Sequence, residues 1–275
     1  MRATALFFFS LLFAAPVPSP QTFAPRAYLG FDRNAYPGDA SLPILRKSFS
    51  FTGYWLSPPP GEKSNSWSGK RELLRSQGFG FALLFAGPTS GQLRDDPYTL
   101  KRVAEDTQTA AAAARREGFS PGSIIFLDVE EGGRLPSTYF TYLKLWVSEL
   151  SRLGFRAGIY CSSIPIDEGE GLTLITSDFI RKQIEPAELV FWVYNDACVP
   201  SPGCAVPENP PPPSKSGIPY AHIWQFVRSP RDRETAIHCS GYAKNGNCYA
   251  PGDTAHSWFL DISTSSSPDP SGGNK

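Results

Sequence analysis

The chain has 275 residues, 41% hydrophobic and 19% charged, which is enough apolar material for a large core and excludes wholesale disorder. Lys plus Arg and Asp plus Glu each number 26, so the zero net charge gives no bulk attraction to nucleic acid or to an acidic surface. The 27 prolines argue for rigid connecting loops and against a helical bundle.

At the amino terminus, Met1 and Arg2 precede an apolar run over 3–15 that only Thr4 and Ser10 interrupt. This is the pattern of a signal peptide, and it falls short of the roughly 20 apolar residues that cross a bilayer. Residues 1–24 are therefore expected to be a signal peptide, with Pro16, Pro18 and Pro20 leaving the cleavage point open. Secretion or a periplasmic location follows, with no membrane span after signal removal. Residues 25–263 are expected to form one domain, and 264–275, rich in Ser, Pro and Gly, a flexible tail.

Eight short apolar runs read as strands in chain order: 28–32, 49–56, 79–87, 123–130, 155–161, 189–194, 222–227 and 258–262. Between them lie helical patterns over 68–77, 98–117 and 138–153. Asp96 and Ser137 stand where the second and third of these need caps, and Gly78, Gly118 and Gly154 follow all three. Helix, glycine, apolar strand is the rhythm of repeated βα units around a mainly parallel sheet. Eight such strands predict an α/β fold, a (β/α)₈ TIM-type barrel, irregular around its sixth to eighth strands, where the proline-rich stretch 198–219 replaces a helix. A doubly wound open sheet is the alternative. No Gly-x-Gly-x-x-Gly turn or Walker-type loop supports a nucleotide role, and no cofactor is expected.

There are five cysteines. Cys198 with Cys204, and Cys239 with Cys248, flank short loops and suit two local disulfides in an oxidising compartment. Cys161, at the end of an apolar strand, reads as a buried thiol. The spacing of Cys239, Cys248 and His256 fits no zinc pattern, so no metal is expected. His222, His238 and His256 are scattered, and no serine sits in a Gly-x-Ser-x-Gly elbow.

The strongest chemical signal is 124–131, Ile-Ile-Phe-Leu-Asp-Val-Glu-Glu. Asp128 and Glu130 stand two residues apart at the carboxyl end of a strand, so both side chains are expected on one side. A barrel's active site lies at that end, and crowding two acids there raises at least one pKa, as a general acid requires. Asp32 and Asp261 end the first and last runs, which are neighbours in a closed barrel, so four acids are expected at one rim. The competing reading makes each a loop cap or a partner of Arg33 or Arg134. Tyr160, Trp192, Tyr194, Trp224 and Gln225 fall at comparable strand positions and suit sugar binding by stacking and hydrogen bonding, although large aromatics also fill barrel cores.

The segments Gly30-Phe31-Asp32-Arg33-Asn34, Gly53-Tyr54-Trp55-Leu56, Phe126-Leu127-Asp128-Val129-Glu130, Gly158-Ile159-Tyr160-Cys161, Ile223-Trp224-Gln225-Phe226 and Phe259-Leu260-Asp261 resemble a bacterial glycoside-hydrolase-like barrel family of unsettled activity. That family is distantly similar to the lysozyme-type muramidases with an Asp-x-Glu motif. The resemblance implies Glu130 as the catalytic acid, Asp128 as its support or as stabiliser of the positive transition state, and Asp32 and Asp261 as substrate-orienting groups. Glu131 with Gly132 and Gly133 departs from the plain muramidase pattern. The expectation is an exported monomer whose partner is a glycan of peptidoglycan type, hydrolysed by carboxylate acid/base catalysis. A non-catalytic carbohydrate-binding barrel and an inert exported scaffold or partner-binding domain are the alternatives.

Overall fold

The structure is a computed structural model that describes residues 27–93, 95–185, 189–195, 209–228 and 258–274. The chain opens with β1 (Tyr28–Asp32), α1 (Leu42–Leu45), β2 (Phe51–Trp55), α2 (Arg71–Ser76), β3 (Gly80–Ala86), α3 (Asp96–Arg116), β4 (Ile124–Asp128), α4 (Ser137–Arg152) and β5 (Arg156–Ser162). A hairpin of β6 (Ile166–Asp167) and β7 (Thr173–Leu174) and then α5 (Thr176–Gln183) precede β8 (Leu189–Tyr194), β9 (Ala221–Arg228) and β10 (Asp261–Ser265). The proposed signal peptide, the four cysteines expected to pair, His238 and His256 lie outside the described residues. Among the described residues no helix is long and apolar enough to cross a membrane.

Eight strands close a TIM-type barrel in the order β1-β10-β9-β8-β5-β4-β3-β2. From β1 round to β9 every neighbouring pair is parallel, but β10 is antiparallel to both β1 and β9. The last strand thus differs from expectation in place and direction. The apolar run at 258–262 suggested it, whereas the strand is Asp261–Ser265, whose Ile262 and Thr264 are β-branched. Its polar residues are buried, and Ser263 meets an interior side chain, accepting from Trp192 Nε1 at 3.1 Å. Irregularity also begins earlier than expected, since the β6–β7 hairpin separates β5 from α5.

The caps are displaced by one residue from their sequence positions. Asp95, with an extended backbone, accepts from Tyr98 N at 2.8 Å and caps α3 in place of Asp96. Pro136 stands at the N-cap of α4, so Ser137 already belongs to the helix and caps nothing. On α4 the buried residues Tyr139, Tyr142, Leu143, Trp146, Val147 and Leu150 recur at helical spacing. α3 packs against α4, where Asp106 Oδ2 accepts from the Tyr142 hydroxyl at 2.8 Å, and the buried residues of α3 include Ala110 and Ala114. Inside the barrel Phe126 packs edge-on against Trp192, ring centroids 5.6 Å apart. A Cβ at Gly158 would lie 2.4 Å from Phe126 Cδ1, so glycine there makes room for the ring.

The expected flexible tail is a structural element. Thr264 and Ser265 belong to β10, and 266–274 runs across the amino-terminal ends of the strands. Ser271 receives Leu83 N on Oγ and Ile124 N on its carbonyl, both at 2.9 Å, and donates its own N–H to Phe81 O at 2.8 Å. Asp269 Oδ1 accepts from Phe81 N, Pro270 O meets His222 Nε2, and Arg71 Nη2 donates to Gly273 O. The Ser, Asp and Asn content that reads as disorder here supplies hydrogen-bond partners to strand ends that would otherwise lack them. Deleting 266–275 is expected to cost about 3 kcal/mol or more, because several buried backbone groups lose their partners. Chemical denaturation measures this, and an unchanged midpoint would remove the segment from the fold's support.

Candidate active site

The carboxyl ends of the strands bring the four acids to one rim. Asp32 ends β1 and is the register partner of Asp261, the first residue of β10. An antiparallel strand begins where its neighbours end, so Asp261 reaches this position although it opens its strand instead of closing it. Asp128 ends β4. Asp32, Asp128 and Asp261 are 8%, 4% and 9% exposed, whereas Glu130, two residues beyond the end of β4, is exposed. A Cβ at Gly53 on β2 would stand 2.4 Å from Asp32 Cβ, so only glycine admits Asp32 at this point of the wall.

Asp128 is electrostatically the most unusual group. Among the described residues neither of its carboxyl oxygens has a hydrogen-bond partner. Its pKa is raised well above the usual carboxylate range, first by burial and then by the charges of Glu130 and Asp261. That coupling places Asp128, Glu130 and Asp261 in one electrostatic unit. Arg134 does not neutralise it: its guanidinium pairs with Glu168 at 2.6 Å and lies over the Phe179 ring. A neutral, buried carboxyl beside an exposed one is an arrangement able to hold and hand over a proton.

The residues expected to bind sugar divide into rim, support and core. Tyr160 and Tyr194 are half-buried and stacked, with ring centroids 5.0 Å apart and planes 25° apart. Tyr160 donates to Gln225 Oε1 at 3.1 Å, and Tyr194 donates to the carbonyl of Glu130 at 3.2 Å. Gln225 is buried and anchors Tyr160 from inside the barrel. Trp192 is 0% exposed and lies beneath the rim, edge-on to Tyr160, so it fills the core and does not line a cleft. Trp224 takes the outer face: Gln225 points inward and strand alternation turns its neighbour out, where Nε1 donates to Asn195 Oδ1 at 2.6 Å. These two tryptophans are corrections to the sequence reading, which had a strand position but no inner or outer phase for them.

Two further side chains escaped sequence reasoning. Glu131 accepts from Ser90 N at 2.7 Å and from Ser90 Oγ, tying the β3–α3 loop to the turn after β4. Asn195 joins the end of β8 to Trp224 and, through Nδ2, to Ser216 O at 3.0 Å. The adjacency of Glu131 to the Asp-x-Glu motif was a signal, but the loop it meets lies 41 residues away in sequence. Cys161 is a buried free thiol with its pKa pushed up by desolvation, and His222 sits at the opposite end of the barrel beside Pro270. Among the described residues no group of three or more His, Cys, Asp or Glu side chains could hold a metal ion.

Solved structures share the fold, among them the three described next. An uncharacterized B. stearothermophilus protein is 16% identical with a TM-score of 0.51, the match covering 76% of this chain and 97% of that one. The Tat-secreted protein Rv2525c of Mycobacterium tuberculosis, in complex with L-tartrate, is 13% identical with a TM-score of 0.51, covering 87% and 95%. GHIP of Streptococcus pneumoniae, described as a glycosyl hydrolase 25, is 12% identical with a TM-score of 0.50, covering 86% of each chain. No curated protein matches the sequence. The model of the Rv2525c-like, glycoside hydrolase-like domain matches residues 57–199, a stretch that holds Asp128, Glu130, Glu131, Tyr160 and Tyr194 and leaves Asp32 and Asp261 on either side. With more than half of its length matched, the chain belongs to the Rv2525c-like glycoside hydrolase-like domain family.

Proposed function

We propose that this protein is an exported glycosidase of amino-sugar polymers of the peptidoglycan type, working by carboxylate acid/base catalysis. The observation that carries this reading is Asp128: a carboxyl 4% exposed, with no hydrogen-bond partner among the described residues, beside an exposed Glu130 at a barrel's functional end. Burying an unpartnered acid is costly, and a fold retains such a cost where chemistry uses it. The likeness to a structure described as a glycosyl hydrolase 25 and the glycoside hydrolase-like family support the same direction. The apolar run at 3–15 supports export.

In this mechanism the pair shares one proton, which passes from Asp128 to the solvent-reached Glu130 as substrate binds and from Glu130 to the leaving glycosidic oxygen as that oxygen's bond to the anomeric carbon breaks. Asp128 keeps its own proton in the resting state, so the pair carries a single negative charge. Asp128, left ionised by that transfer, stabilises the positive charge that develops at the anomeric carbon, where water adds and returns a proton to the pair. Asp32 and Asp261 orient the sugar hydroxyls, and the Tyr160–Tyr194 stack offers a ring face at the same rim.

Purified protein is expected to clear a cell-wall suspension and release reducing ends. Glu130→Gln is expected to lower that rate by about 100-fold or more, the usual contribution of a general acid. Equal activity in the variant would remove Glu130 from the chemistry. Glycan binding with no cleavage over long incubation would identify a carbohydrate-binding barrel instead.

A second expectation concerns stability. Folded Asp128 holds its proton more tightly than unfolded Asp128, so from the usual carboxylate pKa of about 4 up to its raised folded value, stability falls as pH rises. Asp128→Asn removes this titration. The variant is expected to match wild type near pH 4 and to melt roughly 2–4 °C higher at pH 8, the response of a domain of this size to about 1 kcal/mol. Parallel melting curves for the two proteins across that range would contradict the assignment.

A further inference from the structure

We infer that Glu131 is a positioning residue for Glu130: its carboxylate clamps the β3–α3 loop to the turn after β4 and so sets the direction in which Glu130 leaves that turn. The inference rests on Glu130 being the acid. Both Glu131 oxygens are engaged by Ser90, one by its N–H at 2.7 Å and one by its hydroxyl, which takes Glu131 out of the chemistry and makes it a tether. The part of that loop around Ser90 is itself braced by hydrogen bonds. Thr89 and Gln92 close a capping box, Tyr139 donates to Pro88 O at 2.7 Å, and Gly87 N donates to Asp128 O at 3.0 Å.

The other side of the turn is held as firmly. Val129 N donates to Tyr160 O at 2.9 Å, Tyr194 donates to Glu130 O, and Gly133 N donates to Thr176 Oγ1 at 2.8 Å. Glu130 is thus exposed as a side chain while its main chain is bracketed, by Tyr194 on its own carbonyl and by Glu131 one residue on. An exposed glutamate on a loose turn would spread over many orientations, and fixing the backbone removes much of that freedom before substrate arrives. Glu131 acts here as geometry, because its charge is not among the influences that raise Asp128.

The test compares Glu131→Ala, which removes the clamp, with Glu131→Gln, which keeps an oxygen for Ser90 N and discards the charge. In Glu131→Ala, kcat on cell-wall glycan is expected to fall about 10-fold or more with KM within about 2-fold, and Glu131→Gln to recover most of it. A readout independent of activity is the carboxyl 13C titration of Asp128. If Glu130 swings away when the clamp is lost, its charge no longer raises Asp128, whose midpoint should move down in Glu131→Ala and stay in Glu131→Gln. Ser90→Ala, which removes one of the two bonds, is expected to give a smaller shift in the same direction and serves if Glu131→Ala does not fold. An unmoved midpoint in the alanine variants, or equal movement in Glu131→Ala and Glu131→Gln, would overturn the inference. Absence of hydrolysis in wild type would overturn the proposed function alone, since the titration still decides the clamp.

Discussion

The antiparallel seam at β10 is the constraint on which the rest of the site depends. Seven strands run in one direction, and a parallel eighth would have had to return to the amino-terminal end before starting. Instead the chain enters β10 from the end where its neighbours finish, so Asp261 is seated beside Asp32 at the first residue of the strand. The same reversal delivers the chain to the opposite end of the barrel at Ser265. There the segment 266–274 supplies partners to buried backbone groups at the starts of β3 and β4. One change of direction therefore completes the acidic rim above and the floor below.

Core and rim are joined by a continuous set of contacts. Trp192 and Phe126 fill the interior, with Trp192 held through Ser263 of β10. Trp192 supports Tyr160 edge-on, Tyr160 is fixed by Gln225 and stacks on Tyr194, and Tyr194 reaches the carbonyl of Glu130. The turn carrying the acid is thereby referenced to the barrel core rather than to surface loops. Asp128 stands outside this set of contacts, since among the described residues neither of its carboxyl oxygens has a hydrogen-bond partner.

Much of this was legible in the residues. The helix–glycine–strand rhythm announced the barrel, and the apolar run ending in Asp128 and Glu130 located the rim. What sequence reasoning could not supply was direction and phase. Asp261 was placed next to Asp32 on the premise of a parallel strand, and it arrives there by the opposite route. Trp192 points into the barrel while Trp224, one residue before the inward Gln225, points out, and the pairing of β8 with β9 shifts register between Phe191 and Trp192. The tail was misread because Ser, Pro and Gly composition says nothing about whether a strand end nearby lacks a partner. Glu131 was noticed only as an oddity, since its role depends on a loop distant in sequence.

Distant strands bring the Asp128 carboxyl, its pKa raised by burial and by neighbouring charge, beside Glu130 at the barrel rim. The most direct measurement is the site-resolved 13C titration of the Asp128 carboxyl in the unmodified protein. The expected midpoint lies well above the ordinary aspartate value of about 4 and falls when Glu130 is replaced by glutamine. A midpoint at the ordinary value, unmoved by that replacement, would contradict it.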